Sequence, residues 1–473
     1  MKLNTSDQYL DGIDTLFMQC EHPRRLMTVT SLWTFQHRLD AKQVYRILDR
    51  LCQSYPRFAR VPRRGSFFKA ARWTVSVGWC PDQNVVLHTL SEPTKIALQD
   101  YCSKQVVSPF DYTKPLWELH AISGLEGDQC ALFWKAHHAL SDGQGFIRSL
   151  LSTTSLDASL KKLEEQQQGS RRNKHKRNTI GLPKQIWDMF PNYITALILS
   201  VWYFVSQAHL LWITLYHDLY SMILCILPVS RKDFIYRELQ SHEKEMAWSD
   251  DVRLQDINTV RKVFGGTLND VMLAVVTRCV KNYLESVGDR HDNYVSFIIP
   301  VSLRKPNDWS CHNVVSGSWG FFSMKDLSTK DLIDQVQTEM KAVKTSFMVR
   351  FLYDFVQLVW GNIPALSLPL CVYNHICDVS HGVFTNIPGP TKPISFAGQQ
   401  ILEYRAFPPQ SGKGSIGIAL VSYDGNVSIG VIADVHRKYP RLADSICARF
   451  ANEFKFMLDE AKMESSKRET CSL

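Results

Sequence analysis

The sequence lacks the cysteine patterns of disulfide-stapled and zinc-binding proteins. It has 12 cysteines in 473 residues, but no Cys-x-x-Cys pair and no His/Cys cluster at zinc spacing. Scattered cysteines of this kind are typical of reduced thiols on the cytosolic side of a cell. We therefore expect no metal site and no disulfide framework.

An apolar leader and a nucleic-acid-binding motif are also missing. Residues 1–7, Met-Lys-Leu-Asn-Thr-Ser-Asp, contain no apolar core of a secretory signal. The formal net charge is +8, but no nucleic-acid motif accompanies it, and much of the excess lies in one segment, 171–184. We expect no nucleic-acid partner.

The remaining composition is that of a large globular protein. Hydrophobic residues make up 45% and charged residues 21% of a chain long enough for two domains. Helical and strand patterns alternate, which predicts an α/β or α+β fold. Among the later elements we expect a strand pair at 313–322, a helix at 328–349 and a hairpin at 417–434 that turns at Asp424-Gly425-Asn426.

The stretch 135–145 carries the clearest candidate for chemistry. It reads Lys-Ala-His-His-Ala-Leu-Ser-Asp-Gly-Gln-Gly, between an apolar run of strand length and a run of helical spacing. Ser141 or Asp142 is a suitable N-cap, so the positive end of the helix would lie beside the imidazoles of His137 and His138. Gly143 could supply the tight turn.

Neighbouring residues of an extended chain point to opposite sides. At most one of His137 and His138 can therefore face a cleft, and the other should be buried or hydrogen-bonded. A histidine can take a proton from a hydroxyl at neutral pH if a neighbour fixes its tautomer. The alternative is a pair of core or surface histidines ahead of a capped helix.

The phrase His137-His138-x-x-x-Asp142-Gly143 resembles the signature of the CoA-dependent acyltransferase superfamily, which includes chloramphenicol acetyltransferase and peptide-synthetase condensation domains. Four further phrases resemble, in the same order, those of one branch, the bifunctional wax ester synthase/diacylglycerol acyltransferases. These are Pro115-Leu116-Trp117-Glu118, Asn269-Asp270, the Pro-Val-Ser-x-Arg phrase ending at Arg304, and Asn386-Ile387-Pro388-Gly389-Pro390.

This resemblance implies a fold and a set of roles. The fold would be two chloramphenicol-acetyltransferase-like lobes with the active site at their interface, in a tunnel open to both substrates. His138 would be the general base, His137 a supporting residue and Asp142 a structural one, with Gly143 in the turn. Substrate-binding residues would be Pro115, Leu116, Trp117, Asn269, Asp270, Asn386, Pro388 and Gly389. A buried Asp142 needs a cationic partner, and Arg304 is a candidate.

The implied reaction is transfer of a fatty acyl group from acyl-CoA, the co-substrate, to a long-chain alcohol or diacylglycerol. It needs no bound cofactor, no metal and no acyl-enzyme. We expect the oxyanion donors at the helix start after Asp142, with Asn269 a weaker candidate.

An apolar segment separates the two halves. Residues 193–229 contain no Lys or Arg and one acidic residue, Asp218, and basic residues flank the segment. A single membrane crossing would separate two halves that share one site, and no Gly or Pro near the middle allows a hairpin. We expect a helix lying in the membrane interface or dipping into one leaflet, on the cytosolic side of the endoplasmic reticulum or a lipid droplet if the cell is eukaryotic. A buried helical pair in a soluble protein is the alternative.

The predicted organisation has four parts. Residues 1–155 form the N-terminal lobe, 156–190 a basic mobile linker, 191–230 the hydrophobic helical insertion and 231–473 the C-terminal lobe. A second apolar stretch, 351–371, would either touch membrane or acyl chain or belong to the core.

Two rival functions remain at this point. The chain could be an acyltransferase for a small non-lipid acceptor, although the apolar segment argues against that. It could also be a non-catalytic lipid-binding protein on the same fold, which the intact His138 and Asp142 disfavour. The oligomeric state is left open.

Overall fold

A computed structural model describes residues 8–63, 71–156, 193–226, 241–289, 293–305, 308–362, 379–410 and 416–471. The predicted basic linker falls outside the described residues apart from its first position. The strands are β1 Gln8–Tyr9, β2 Thr28–Phe35, β3 Arg60–Arg63, β4 Arg72–Val75, β5 Val85–Thr89, β6 Trp117–Ser123, β7 Cys130–His137, β8 Lys244–Trp248, β9 Val252–Arg253, β10 Tyr294–Ser302, β11 Val315–Ser323, β12 Gly382–Pro388, β13 Ser395–Phe396, β14 Gln399–Phe407, β15 Ile416–Tyr423 and β16 Asn426–Asp434. The α-helices are α1 Gly12–Cys20, α2 Ala41–Ser54, α3 Lys95–Val106, α4 Gly143–Leu151, α5 Tyr193–Ile226, α6 Leu254–Phe264, α7 Leu268–Ser286, α8 Thr329–Thr345, α9 Phe347–Asn362 and α10 Leu442–Cys471.

The N-terminal half is built on a six-stranded sheet. Its strand order is β13-β14-β2-β7-β6-β5, and only β5 and β6 run parallel. Every residue of β2 and β7 is buried, because both strands lie in the middle of the sheet. Trp33, Trp117 and Trp134 are fully buried in this core, and Trp134 contacts both of the others. This packing fixes the end of β7, where the histidines lie.

The C-terminal half has a second sheet, with the order β11-β10-β12-β15-β16-β8 and β9 added on β16. The pairs β10–β12 and β12–β15 are parallel and the others antiparallel. Helix α7 begins at an N-cap, Thr267, and buries most of its surface in this core. The predicted mixed α/β fold with two lobes is confirmed by this arrangement.

The two halves of the chain exchange elements. Strands β13 and β14 come from the C-terminal half but complete the N-terminal sheet, where β14 pairs with β2 antiparallel. Helix α1, from the N-terminal half, packs in return against α9. Residues 231–473 therefore do not form one lobe by themselves, because a sheet is completed by backbone hydrogen bonds wherever the strand comes from.

Three predicted elements can be compared directly with the structure. The predicted strand pair at 313–322 is wrong: this region contains one strand, β11, which begins at Val315 and pairs with β10. The predicted helix at 328–349 breaks at Ser346, where α8 ends and α9 begins. The hairpin is confirmed, and its turn places Asp424 at φ 47° and Gly425 at φ 73°, as a two-residue turn of this kind requires.

The apolar segment forms one 34-residue helix, α5, over its described part. The prediction of a helix there is confirmed. No single helix in the described ranges is long and apolar enough to cross a bilayer, whereas α6 and α7, bent by 94° at their junction, would pass as a pair by length and composition.

The exchanged strands generate a stability prediction. Phe396 on β13 is 1% exposed and packs edge-on against Trp33 and Trp134. Phe396→Ala should lower the free energy of unfolding by about 3–5 kcal/mol, because the lost phenyl ring would leave a cavity in the core of the N-terminal half. Urea denaturation followed by circular dichroism measures the loss. Leu402→Ala, at a 40% exposed position of β14, is the control and should change the same quantity by less than about 0.5 kcal/mol. Equal losses would contradict the proposed importance of this contact.

Candidate active site

The histidine motif lies where β7 ends and α4 begins. Asp142 is the N-cap of α4: its backbone is extended and its Oδ1 accepts a hydrogen bond from Gly145 N at 2.7 Å. Of the two N-cap candidates, the structure selects Asp142. The motif therefore crosses from a central strand of the N-terminal sheet to the start of a buried helix within five residues.

The side chain of His137 is buried and held by hydrogen bonds to its neighbours. Its side chain is fully buried, its Nδ1 accepts a hydrogen bond from Ala139 N at 3.0 Å, and its Nε2 lies 3.1 Å from Oε2 of Glu21. Because Nδ1 accepts, Nε2 carries the proton and donates it to Glu21. Tyr112 donates its hydroxyl to the same carboxylate oxygen. His137 is thus fixed by its neighbours and is not available for proton transfer.

His138 faces the other way, toward the C-terminal half. Its Nδ1 lies 3.2 Å from Oδ1 of Asn313, and the amide nitrogen of Asn313 donates to Oδ1 of Asp14 and to the carbonyl oxygen of His138, both at 2.8 Å. Since that nitrogen is committed to two acceptors, the amide oxygen must face the imidazole. Nδ1 of His138 therefore donates, and the lone pair of the ring is on Nε2.

Burial keeps this imidazole neutral. His138 is 9% exposed, and its ring lies against that of Phe17 on α1, with 4.0 Å between the centroids. Burial lowers the pKa of His138 to about 4, and the nearby Asp142 carboxylate opposes that shift only in part. At neutral pH the ring is consequently an uncharged base with a defined tautomer.

Asp14 extends this polar chain behind the base. It is fully buried, and burial raises the pKa of its carboxyl group, with Arg57 counteracting the effect. Nη2 of Arg57 lies 2.9 Å from Oδ2 of Asp14, and Nη1 donates to the carbonyl oxygen of Leu140 at 3.2 Å. Asp14, Asn313 and His138 thus form one hydrogen-bonded series, anchored to the motif at Leu140.

Asp142 and Arg304 form a buried ion pair. Nε of Arg304 lies 3.2 and 3.1 Å from the two carboxylate oxygens, and Nη2 lies 3.1 Å from Oδ2. Arg304 also donates to the carbonyl oxygens of Ser310 and His312, and Val314 N donates to Asp142 at 2.8 Å. With its oxygens fully engaged, Asp142 holds structure and is not placed to exchange protons.

The two glycines of the motif differ in whether the space beside them could hold a side chain. A side-chain carbon at Gly145 would lie 2.2 Å from Oγ of Ser141 and 2.6 Å from Nη2 of Arg304. At Gly143 such a carbon would meet nothing within 4 Å, and its φ is not positive. The position that must lack a side chain is thus Gly145, because Arg304 occupies the space, rather than the predicted Gly143.

The predicted substrate-binding residues fall into two groups. Leu116 and Trp117 are fully buried, Trp117 Nε1 donates to Phe58 O at 2.7 Å, and Pro115 O accepts from Asn84. This group supports the end of β7, where the carbonyl oxygen of Leu116 accepts a hydrogen bond from His137 N at 3.0 Å. Contact of these three residues with substrate stays a prediction.

The second group lies in the C-terminal half. Nδ2 of Asn386 donates to Oδ1 of Asn269 at 2.6 Å, so these two predicted residues meet. Asp270 is buried and caps α7 by accepting from Thr267 N at 2.7 Å. Pro388 is exposed, and Gly389 N donates to Ser422 Oγ at 3.2 Å. Asn269 and Asn386 are therefore joined, whereas Asp270 acts as a helix cap.

Asn313, Asp14 and Glu21 were missed by the sequence analysis. Each is a single polar residue far from the motif in the chain, and none lies in a phrase that marks it.

Within the part of the chain that the structure describes, no group of three or more His, Cys, Asp or Glu residues could hold a metal ion.

Comparison with known proteins matches both halves of the chain to one family. The family model for the wax ester synthase/diacylglycerol acyltransferase catalytic domain matches residues 10–272, and the WS/DGAT C-terminal domain matches residues 322–457. The O-acyltransferase WSD of Acinetobacter baylyi is 24% identical over 440 residues, which cover 90% of this chain and 92% of that protein.

Solved structures show the same fold. The wax ester synthase/diacylglycerol acyltransferase from Marinobacter aquaeolei VT8 is similar with a TM-score of 0.60 at 18% identity, over 97% of this chain and all of that one. A starter condensation domain of rhizomide synthetase, in complex with C8-CoA, is similar with a TM-score of 0.53 at 11% identity, over 96% and 94% of the two chains. On these matches to both halves, the chain belongs to the wax ester synthase/diacylglycerol acyltransferase family and is an acyltransferase.

Proposed function

We propose that the chain esterifies a lipid alcohol with a fatty acyl group from acyl-CoA, and that His138 is the general base. The alcohol would be a long-chain fatty alcohol, giving a wax ester, or diacylglycerol, giving triacylglycerol. The observation that carries the proposal is the state of His138: a neutral imidazole, its Nδ1 held by Asn313, its lone pair on Nε2. The C8-CoA in a condensation domain of similar fold supports acyl-CoA as the co-substrate.

The reaction then needs one proton acceptor and no covalent intermediate on the protein. The alcohol oxygen attacks the thioester carbonyl carbon while Nε2 of His138 takes the hydroxyl proton. The carbon–sulfur bond breaks, and the proton returns to the CoA sulfur. The thiolate of CoA is a good leaving group, so the first proton transfer is the step that most needs help.

The remaining residues would position these reactants. Asn313 and Asp14 hold the tautomer of His138, and Asp142 with Arg304 holds the turn. The oxyanion would be stabilised at the N-terminus of α4, where the helix dipole is positive, with Asn269 as the weaker candidate.

Membrane attachment is part of the proposal. A lipid alcohol resides in a bilayer, and α5 exposes Trp202, Phe204, Leu211 and Trp212 at 59–73% of their surface. We place the protein on the cytosolic face of a membrane, the endoplasmic reticulum or a lipid droplet in a eukaryotic cell.

The first test offers the purified protein an acyl-CoA together with hexadecanol or diacylglycerol. We expect ester formation and an equal amount of released CoA, and His138→Ala should lower the rate by about 10²–10⁴-fold because the proton acceptor is lost. His37→Ala, at an exposed histidine, is the matched control and should keep the full rate. A His138→Ala protein that retains most of its rate would refute the role of the base. Ester formation with small alcohols alone would refute the lipid acceptor.

The second test uses the dependence of kcat/KM on pH. A base with a pKa of about 4 must be neutral to act, so the wild-type value should rise with pH through that region and be flat near neutrality. Asn313→Asp puts a carboxylate beside Nδ1, favours the imidazolium and should move the acid limb up by about 1–3 pH units. Asn313→Ala should lower kcat without moving the limb upward. An acid limb that stays in place in Asn313→Asp would show that Asn313 does not contact the titrating base.

A further inference from the structure

Helix α5 buries polar side chains and exposes apolar ones. Its buried positions in the described part, Thr214, His217 and Ser221, are polar and recur at helical spacing. Its apolar and aromatic side chains face outward instead. The most exposed of them, at 52–73% of their surface, are Val201, Trp202, Tyr203, Phe204, Val205, Leu211, Trp212, Leu215, Tyr216 and Leu219. A water-facing helix has the opposite arrangement.

Two of the three inward polar side chains are hydrogen-bonded to other elements of the protein. Thr214 Oγ1 is 2.7 Å from Thr345 Oγ1, and His217 Nε2 is 2.7 Å from the carbonyl oxygen of Trp319. Asp218, the one acidic residue of the helix, accepts from Phe347 N at 2.9 Å and so caps α9. These bonds fix which face of α5 points toward the protein.

Helix α9 repeats the pattern from the point where α5 caps it. Phe347, Phe351, Phe355 and Leu358 form an outward stripe, 70%, 46%, 42% and 63% exposed, and the three phenyl rings stack 6.0 and 5.9 Å apart. Gln357 points inward and accepts from Gly12 N at 2.8 Å. Exposed apolar area on two adjoining helices exceeds what scattered surface residues explain.

The distribution of charge on and around α5 and α9 favours a lipid bilayer as the partner of this surface. Residues 193–226 contain no Lys, Arg or Glu, and Asp218 is turned inward. On α9 the outward charges, Arg350 and Asp354, are paired with each other at 2.8 Å. Basic residues stand in the sequence on both sides of α5, at 171–184 and 231–232, where they suit anionic headgroups. Exposed Trp and Tyr along the helix fit the membrane interface, which these side chains favour.

This surface lies one helix away from the proposed base. Helix α1 packs on α9 so closely that a side-chain carbon at Gly12 would lie 2.5 Å from the carbonyl oxygen of Val356. The same helix places Phe17 on the ring of His138. We propose that α5 and the α9 stripe form one bilayer-contacting surface, and that the lipid alcohol passes from the bilayer to His138 beside α1. The route rests on the proposed esterification, whereas the surface rests on the exposed side chains of α5 and α9.

The test of the surface is flotation of the full chain with phosphatidylcholine vesicles, with and without phosphatidylglycerol. Phe347→Ser combined with Leu358→Ser should reduce the vesicle-bound fraction at least about tenfold. The reason is that the variant lacks two apolar side chains whose transfer from water into the bilayer is favourable. Phe456→Ser removes a 54% exposed phenyl ring on α10, outside this surface, and should bind as wild type. Equal binding of all three proteins would overturn the proposal. A concentration-dependent dimer without vesicles, abolished by the double variant, would overturn it in favour of a second copy.

A second measurement does not depend on polar substitutions. Phosphatidylcholine with brominated acyl chains should quench the tryptophan fluorescence of the wild type, and Trp202→Phe with Trp212→Phe should remove a large share of that quenching while the fold is kept. Quenching that is unchanged in this variant would place α5 outside the bilayer and overturn the proposal.

The route is tested by comparing acceptors. The Phe347→Ser, Leu358→Ser protein should lose activity on vesicle-embedded hexadecanol in step with binding, but keep its rate on a short water-soluble alcohol. Equal losses on both alcohols would refute the route. If the wild type esterifies neither alcohol, the proposed function fails, and the flotation result still decides the surface.

Discussion

The ion pair between Asp142 and Arg304 is the contact on which the site depends. Both side chains are almost completely buried, and removing two charges from water costs several kcal/mol for each ion. The pair is tolerated because each carboxylate oxygen also accepts a backbone N–H, from Gly145 or Val314, and the guanidinium donates to two carbonyl groups. These hydrogen bonds fix the geometry of the ion pair, and the pair joins the histidine motif to Arg304 and residues 310–314 of the other half.

The same segment supplies the partner of the base. Asn313 lies one residue before Val314, so the chain that satisfies Asp142 also sets the amide against His138. The ion pair and the tautomer of the imidazole are consequently not independent features. A shift of Arg304 together with residues 308–314 would disturb both at once, which explains how an aspartate that does not contact the imidazole can matter to proton chemistry.

Local patterns predicted the parts of the site that are local. The strand, the turn, an N-cap at Ser141 or Asp142 and the opposite directions of the two histidines follow from residues 130–151 alone, and the need of a buried carboxylate for a cation pointed to Arg304. Asn313 and Asp14 could not be found in this way, because Asn313 meets His138 across a separation of 175 residues and Asp14 meets Asn313 across 299, and both residue types are common. Leu116 and Trp117 were assigned to substrate because their phrase resembles a family motif, and the structure shows both side chains buried, as apolar side chains of a sheet core are. The strand exchange was missed for a related reason, since nothing in β14 itself says which sheet it will join.

That exchange has a consequence for how the chain is made. The outer edge of β2 remains without its neighbour until Phe407 has left the ribosome, because β14 is the strand that pairs there. At usual synthesis speeds the delay for the 372 residues between Phe35 and Phe407 is roughly 20–75 s. During that time an apolar strand presents unpaired N–H and C=O groups, the arrangement that invites pairing with other nascent chains. Translation speed and chaperone supply, rather than final stability, would then govern the yield of folded protein.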